Sequence, residues 1–229
     1  MQPTAGTWFS TLLRLWWADD HNALTDVFWV DAYLGAPSTC TMQITRLSVA
    51  GNGAEANGAS RAPAMSDDGR FVAFESEASN LVSGDTNGFT DVFLSDTCLG
   101  VPTGCNPQIT RLSVATDGSE GNGASQGASI SADGRFVAFV SQATNLVSND
   151  TNGAKDIFVR DTCTNVSGCV PRTIRVSLAA DNSQANGDST RCAISADGAF
   201  VAYTSRATNL IKSATTGEGD IFLVKVRWP

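Results

Sequence analysis

The chain repeats itself with a long period. Phe71-Val72-Ala73-Phe74, behind Asp68-Gly69, returns as Phe136-Val137-Ala138-Phe139 behind Asp133-Gly134 and as Phe200-Val201-Ala202-Tyr203 behind Asp197-Gly198. A second marker, Asp followed by two β-formers, recurs at Asp26-Val27-Phe28, Asp91-Val92-Phe93, Asp156-Ile157-Phe158 and Asp220-Ile221-Phe222. The period is 64 or 65 residues, so 229 residues hold three and a half copies. A single copy cannot bury its apolar face alone, and copies of this kind stack on their neighbours.

The third copy shows what one repeat folds into. Ala128-Ser129-Ile130-Ser131 is a short β-like run, and Ala132-Asp133-Gly134-Arg135 carries the Asp-Gly signal of a tight turn. Phe136 to Ser141 is almost continuously apolar, as expected of a strand covered on both faces. A polar loop leads to a third strand, Asp156 to Asp161. A cysteine-bearing loop follows, and then Thr173 to Leu178 alternates polar and apolar with period two. No stretch sustains helical periodicity. The reading is all-β, with four short antiparallel strands per copy, and tandem units of that kind are the signature of propeller blades.

These residues resemble a known family. Ile130 to Phe139, then Asp150-Thr151-Asn152-Gly153 and Asp156 to Asp161, look like the TolB-like, WD-repeat-like β-propeller repeats, over about residues 18 to 224. The resemblance implies a mostly extracytoplasmic binding platform or an accessory domain beside an enzyme. The present copies are longer than the usual repeats of that family, through the loop before the third strand and the cysteine loop. We expect a single propeller-type domain with a partial blade at 1–50, blades at 60–115 and 125–180, and a partial blade at 190–226. The expected strand count is three, four, four and three, which leaves a distorted four-bladed ring, a ring shared between chains or, as the favoured reading, an incomplete arc.

Composition narrows the partners. A net charge of -8 and a pI near 4.5, with no basic stripe, disfavour nucleic acid and anionic membrane surfaces. No apolar run approaches the roughly 18 residues of a membrane span. The segment Trp8 to Trp17 lacks a preceding basic residue and a clear cleavage site, and reads as a degraded repeat strand rather than a signal peptide. Cys98 and Cys105 flank a short loop, and Cys163 and Cys169 flank its equivalent one period later. Matching pairs suggest disulfides that clip hairpins in an oxidising compartment. Cys40 matches Cys105 but has Tyr33 at its partner position, and Cys192 stands alone. With one His and no CxxC, a zinc site is not expected.

The strongest chemical signal is the loop Asp85-Thr86-Asn87-Gly88-Phe89-Thr90-Asp91, repeated as Asp150 to Asp156. It appears as Asp20 to Asp26 in the first copy and decays to Thr216-Gly217-Glu218-Gly219-Asp220 in the last. Its first reading is an Asx turn. The alternative is calcium, with Asp85, Asn87, Asp91, Asp150, Asn152 and Asp156 as candidate ligands, because a hard cation takes several oxygens from such a loop. The G-x-S-x-G match at Gly123 to Gly127 lies between strands, its counterparts break the pattern, and it reads as chance. His21, the only histidine, replaces Thr86 and Thr151 in an exposed loop. The periodic phenylalanines read as blade-to-blade packing, whereas Trp8, Trp16, Trp17 and Trp29 do not recur and suit an exposed contact face.

Groups that repeat in every copy are most simply structural. The favoured function is a non-catalytic extracytoplasmic module that binds a protein or glycan, with self-association as a way to complete the ring. A calcium-stabilised segment of a larger secreted protein is the second reading. A propeller hydrolase or lyase is the third, and the single His counts against it.

Overall fold

The computed structural model describes residues 20–31, 43–101, 103–212 and 218–228. Trp8, Trp16, Trp17, Tyr33 and Cys40 lie outside them. The described residues form thirteen strands in four antiparallel sheets and no helix. The first sheet pairs β1 (Phe28–Asp31) with β2 (Gln43–Arg46). The second runs β3 (Ser60–Met65), β4 (Phe71–Ser76), β5 (Asp91–Asp96) and β6 (Gln108–Arg111) in simple meander order. The third repeats it with β7 (Ser125–Ile130), β8 (Phe136–Ser141), β9 (Asp156–Asp161) and β10 (Arg172–Arg175). The fourth holds β11 (Ser189–Ile194), β12 (Phe200–Ser205) and β13 (Asp220–Lys225). Among the described residues no helix is long and apolar enough to cross a membrane.

The apolar runs of the second and third sheets are covered on both faces by neighbouring sheets. Val72, Phe74 and Phe93 pack backwards against Val27 and Leu47 of the first sheet's copy. Phe71, Ala73, Val92 and Leu94 pack forwards against Val137, Phe139 and Phe158 of the third sheet. Ala138, Val140, Ile157 and Val159 then meet Val201 and Tyr203 of the fourth. The residues of one strand therefore belong alternately to two cores, which follows from the period of two. Cross-strand aromatic pairs mark the backward face of each sheet: Phe74 with Phe93 at 5.9 Å, Phe139 with Phe158 at 5.9 Å and Tyr203 with Phe222 at 5.7 Å. The periodic aromatics pack between sheets as expected except Phe200, which is 39% exposed on the fourth sheet, and Trp29 is partly buried against the first core.

Each Asp-Gly turn is built in the same way. The serine before it, Ser66, Ser131 or Ser195, donates to Asp68, Asp133 or Asp197 and accepts from the N–H of Phe71, Phe136 or Phe200 at 2.9 Å. Turns of successive sheets touch, with the Asp67 N–H donating to Ala132 O at 3.0 Å and the Ala132 N–H to Ala196 O at 2.9 Å. Gly134 has φ +75°, and a Cβ there would lie 2.2 Å from Cδ2 of Phe71. Left-handed backbone and a close approach both demand glycine at this point. The Gly134→Ala variant should therefore lose roughly 1–3 kcal/mol, from backbone strain and displacement of Phe71. Thermal denaturation would show it as a lower Tm, whereas an unchanged Tm would mean that the sheets are not held at this contact.

Candidate functional site

The Asp-Asn-Gly loop folds onto an arginine of the following strand. Arg111, the last residue of β6, places Nη1 3.0 Å from Asp85 and 3.5 Å from Asp91, and Nη2 2.8 Å from Glu120. Arg175 of β10 meets Asp150 at 2.9 Å and Asp156 at 3.2 Å, with Gln184 in place of the glutamate. Arg46 of β2 meets Asp20, Asp26 and Glu55. A serine two residues beyond each arginine completes the clasp. Ser113 Oγ donates to Asp91 Oδ1 and accepts the Val92 N–H at 3.1 Å, and Ser177 and Ser48 repeat the arrangement. Pairing of the third and fourth strands brings these groups into reach.

The loop asparagines hold the turn. Asn87 Oδ1 accepts the Phe89 N–H at 3.0 Å, while its Nδ2 donates to Asp91 Oδ2 at 2.8 Å and to Gly121 O at 3.0 Å. Asn152 does the same with Ala154, Asp156 and Ala185. The Asx turn read from the sequence is thus present in both copies. The six residues considered as calcium ligands are grouped in each loop, but their carboxylates face a guanidinium and their asparagine oxygens face backbone N–H groups. The chain itself supplies the positive charge that a cation would bring.

Burial pushes the carboxyls of Asp85, Asp91 and Asp150 above the usual range. The Arg111 charge opposes this at Asp85, and hydrogen bonds from Ser113 and Asn87 together with that charge oppose it at Asp91. The half-buried Glu120 is held low instead, by hydrogen bonds from the Thr86 N–H and hydroxyl.

The cysteine loops form a second repeated unit. Cys98–Cys105 and Cys163–Cys169 are disulfides. Arg70 grips Asp96 through Nε and Nη2, both at 2.8 Å, and Arg135 grips Asp161 at 2.8 and 2.7 Å. Each arginine also lies over the ring of the residue that follows it, Phe71 at 4.6 Å and Phe136 at 4.7 Å. Burial would raise the Asp96 and Asp161 carboxyls, but the arginine hydrogen bonds and the N–H groups of Cys98 and Cys163 outweigh it and hold both low. Asp96 with its two cysteines, and Asp161 with its own, are close enough to share a metal ion. The sulfurs are bonded to each other, so they offer no thiolate. The fourth sheet has Ala199 and Lys225 at the corresponding positions and no such loop among the described residues.

The remaining chemical candidates have structural surroundings. Ser125 of the G-x-S-x-G match is fully buried and pairs with Ser141 at 2.9 Å, as Ser60 does with Ser76 and Ser189 with Ser205. His21 is exposed, with Nδ1 3.5 Å from Glu55. Cys192 is a free thiol that donates to Gly127 O at 3.3 Å, and burial pushes it up to about 12. The clasping residues Arg46, Arg111 and Arg175 were missed in the sequence. A signal existed, because the arginine-x-serine pattern recurs in the copies whose loops are intact.

No known family profile matches the chain, and no curated protein matches it. Among solved structures it is similar to TolB from Acinetobacter baumannii, at 18% identity and a TM-score of 0.40, over 81% of this chain and 35% of that one. A putative TolB from Agrobacterium tumefaciens matches at 14% identity and 0.31, over 81% and 62%. The hydrazine synthase of Kuenenia stuttgartiensis matches at 12% identity and 0.38, over 81% and 48%. The chain spans less than two thirds of each of these neighbours.

Replacing Arg111 by Met leaves two buried carboxylates uncompensated and should cost roughly 3–5 kcal/mol at pH 7. A carboxyl with a raised folded pKa stabilises most in acid and loses that contribution as pH rises through the folded value. The deficit of Arg111→Met should therefore shrink as pH is lowered toward about 4. Urea denaturation of both proteins across that range measures it, and a deficit that grows in acid would contradict the clasp. Reducing the two disulfides, with loops of separation 7 and 6, should cost about 2 kcal/mol each. The Tm with and without reductant reports this.

Proposed function

We propose that the chain is a non-catalytic, extracytoplasmic propeller domain that serves as a protein-binding platform and takes a further β-strand unit on β13. The observation that carries this is the contrast between β13 and its equivalents. Ile221 and Leu223 are 80% and 72% exposed, whereas Ile157 and Val159, at the same places in β9, are fully buried by the next sheet. The edge of β13 is open as well. In the second and third sheets, the strand beyond β5 or β9 brings the arginine and serine that clasp Asp91 and Asp156. Asp220 has no such strand among the described residues.

The edge is thus shaped for an added antiparallel strand with arginine two residues before serine, as in Gln43-Ile44-Thr45-Arg46-Leu47-Ser48. A second copy of the chain carries such a strand, and we take self-association through this edge as the reading to test. The two disulfides support an oxidising location. The repeated carboxylates and serines are consumed in clasps and turns, which favours binding over catalysis.

Sedimentation of the full chain should show association, or binding of a peptide with the sequence of residues 43–48. The Ile221→Asp/Leu223→Asp variant should lose both and keep its Tm, because these side chains cover nothing in the monomer. A wild-type protein that stays monomeric at about 100 µM and ignores the peptide would overturn the reading.

A further inference from the structure

A cleft of about 530 Å³ opens between the second and third sheets, on the side of the cysteine loops. Arg160 of β9 lies in its wall and is 8% exposed. The repeat does not prescribe this charge. The residue that pairs with Val72, Val137 and Val201 is Ser95, Arg160 and Val224 in successive sheets. A cation stands where the other copies place a small hydroxyl or an apolar side chain.

The guanidinium is anchored at one corner only. Its Nη1 donates to Thr173 Oγ1 at 2.9 Å and to the carbonyls of Val114 and Ala115 at 3.4 and 3.3 Å, all neutral acceptors. Those bonds reach from the third sheet to the residues after β6 and fix the side chain between the two. Among the described residues Nε and Nη2 make no hydrogen bond, and neither is closed off from solvent. The nearby carboxylates are already held. Asp161, which acts on Arg160 through charge, is gripped by Arg135 at 2.8 and 2.7 Å. Asp96, in the cleft wall, is gripped by Arg70 at 2.8 Å through two nitrogens. A buried guanidinium whose acceptors are all neutral is costly, and an anion would offset that cost.

The chain itself shows what the free edge of such a group takes. Arg70 and Arg135 each hold a carboxylate with Nε and Nη2 together. That pair of donors matches the two oxygens of a planar carboxylate, which a single ammonium cannot do. Arg160 has the same two nitrogens and no carboxylate on them. Gln108 and Thr110 of β6 stand in the same wall, and their side chains make no hydrogen bond among the described residues. They are further donors beside the arginine.

We propose that this cleft binds a carboxylate on Nε and Nη2 of Arg160, with Gln108 and Thr110 beside it. The carboxylate belongs either to a free aliphatic acid or to an aspartate or glutamate side chain of a docked polypeptide. The inference does not rest on the β13 edge.

Titration of the full chain, followed through the backbone amide and arginine Nε–H resonances, tests it. The probes are butyrate, butyramide, inorganic phosphate, and blocked Ala-Glu-Ala and Ala-Gln-Ala peptides. Butyrate should bind at least about tenfold more tightly than butyramide, the scale of a charge-assisted hydrogen bond, and should move the Arg160 Nε–H. Arg160→Lys keeps the charge but loses the fork, and should weaken butyrate binding about fivefold or more. Arg160→Gln should abolish it. The wild-type Nε–H shift decides the matter even if Arg160→Gln fails to fold. Tighter binding of the glutamate peptide than of butyrate identifies a protein side chain as the ligand, and equal or weaker binding identifies a free acid. A stationary Arg160 Nε–H, equal affinity for butyrate and butyramide, or phosphate bound as tightly as butyrate would each overturn the proposal. Failure of both butyrate and the glutamate peptide to bind at about 50 mM would do the same.

Discussion

A strand that is apolar on both faces has to be covered twice, and the rest of this structure follows from that demand. Val92 and Phe93 are adjacent in β5, yet they belong to different cores because successive side chains point to opposite faces. The second and third sheets are therefore each a layer between two others. The turn glycines, the turn-to-turn hydrogen bonds and the aromatic pairs are consequences of that stacking. Gly134 is glycine because the Phe71 ring of the preceding sheet lies against it.

Charge is handled by a second repeated device. The loop before the third strand is exposed at Thr86, Gly88 and Phe89, but the carboxylates of Asp85 and Asp91 that shape it are buried. An arginine from the fourth strand answers them, so the loop and the sheet edge stabilise each other. The fourth sheet shows the counterpart. There the arginine strand is absent among the described residues, and the outer face of β13 is open. The same logic isolates Arg160, a buried cation that no carboxylate of the repeat was positioned to meet.

The strands Phe136 to Ser141 and Asp156 to Asp161 were legible to the residue, because apolar runs and Asp-Gly turns are local signals. The first strand was read as Ala128 to Ser131 but spans Ser125–Ile130. Its polar start and its bulge at Gly127, with φ +65° and a register shift between Gln126 and Ser129, hide the pattern. The fourth strand was read as Thr173 to Leu178 but ends at Arg175. From Val176 onward the chain turns inward, and Ser177 caps Asp156 instead of continuing the ladder. The disulfide pairs were legible from their spacing. The arginine clasp was not, since Arg111 and Asp85 are far apart in sequence and meet only through strand pairing.

The amino-acid order was enough to establish an all-β chain of stacked, repeated sheets, since its periodicity and turn residues act over a few positions. Which charges compensate one another, and which slots stay open, depended on strand register and on the packing of sheet against sheet. Arg135 and Arg160 illustrate the difference. In the sequence they are two arginines of one repeat, and in the folded chain one grips Asp161 while the other meets only neutral acceptors. That contrast exists only where two layers meet, because the Arg160 side chain belongs to one repeat and the carbonyls of Val114 and Ala115 belong to another.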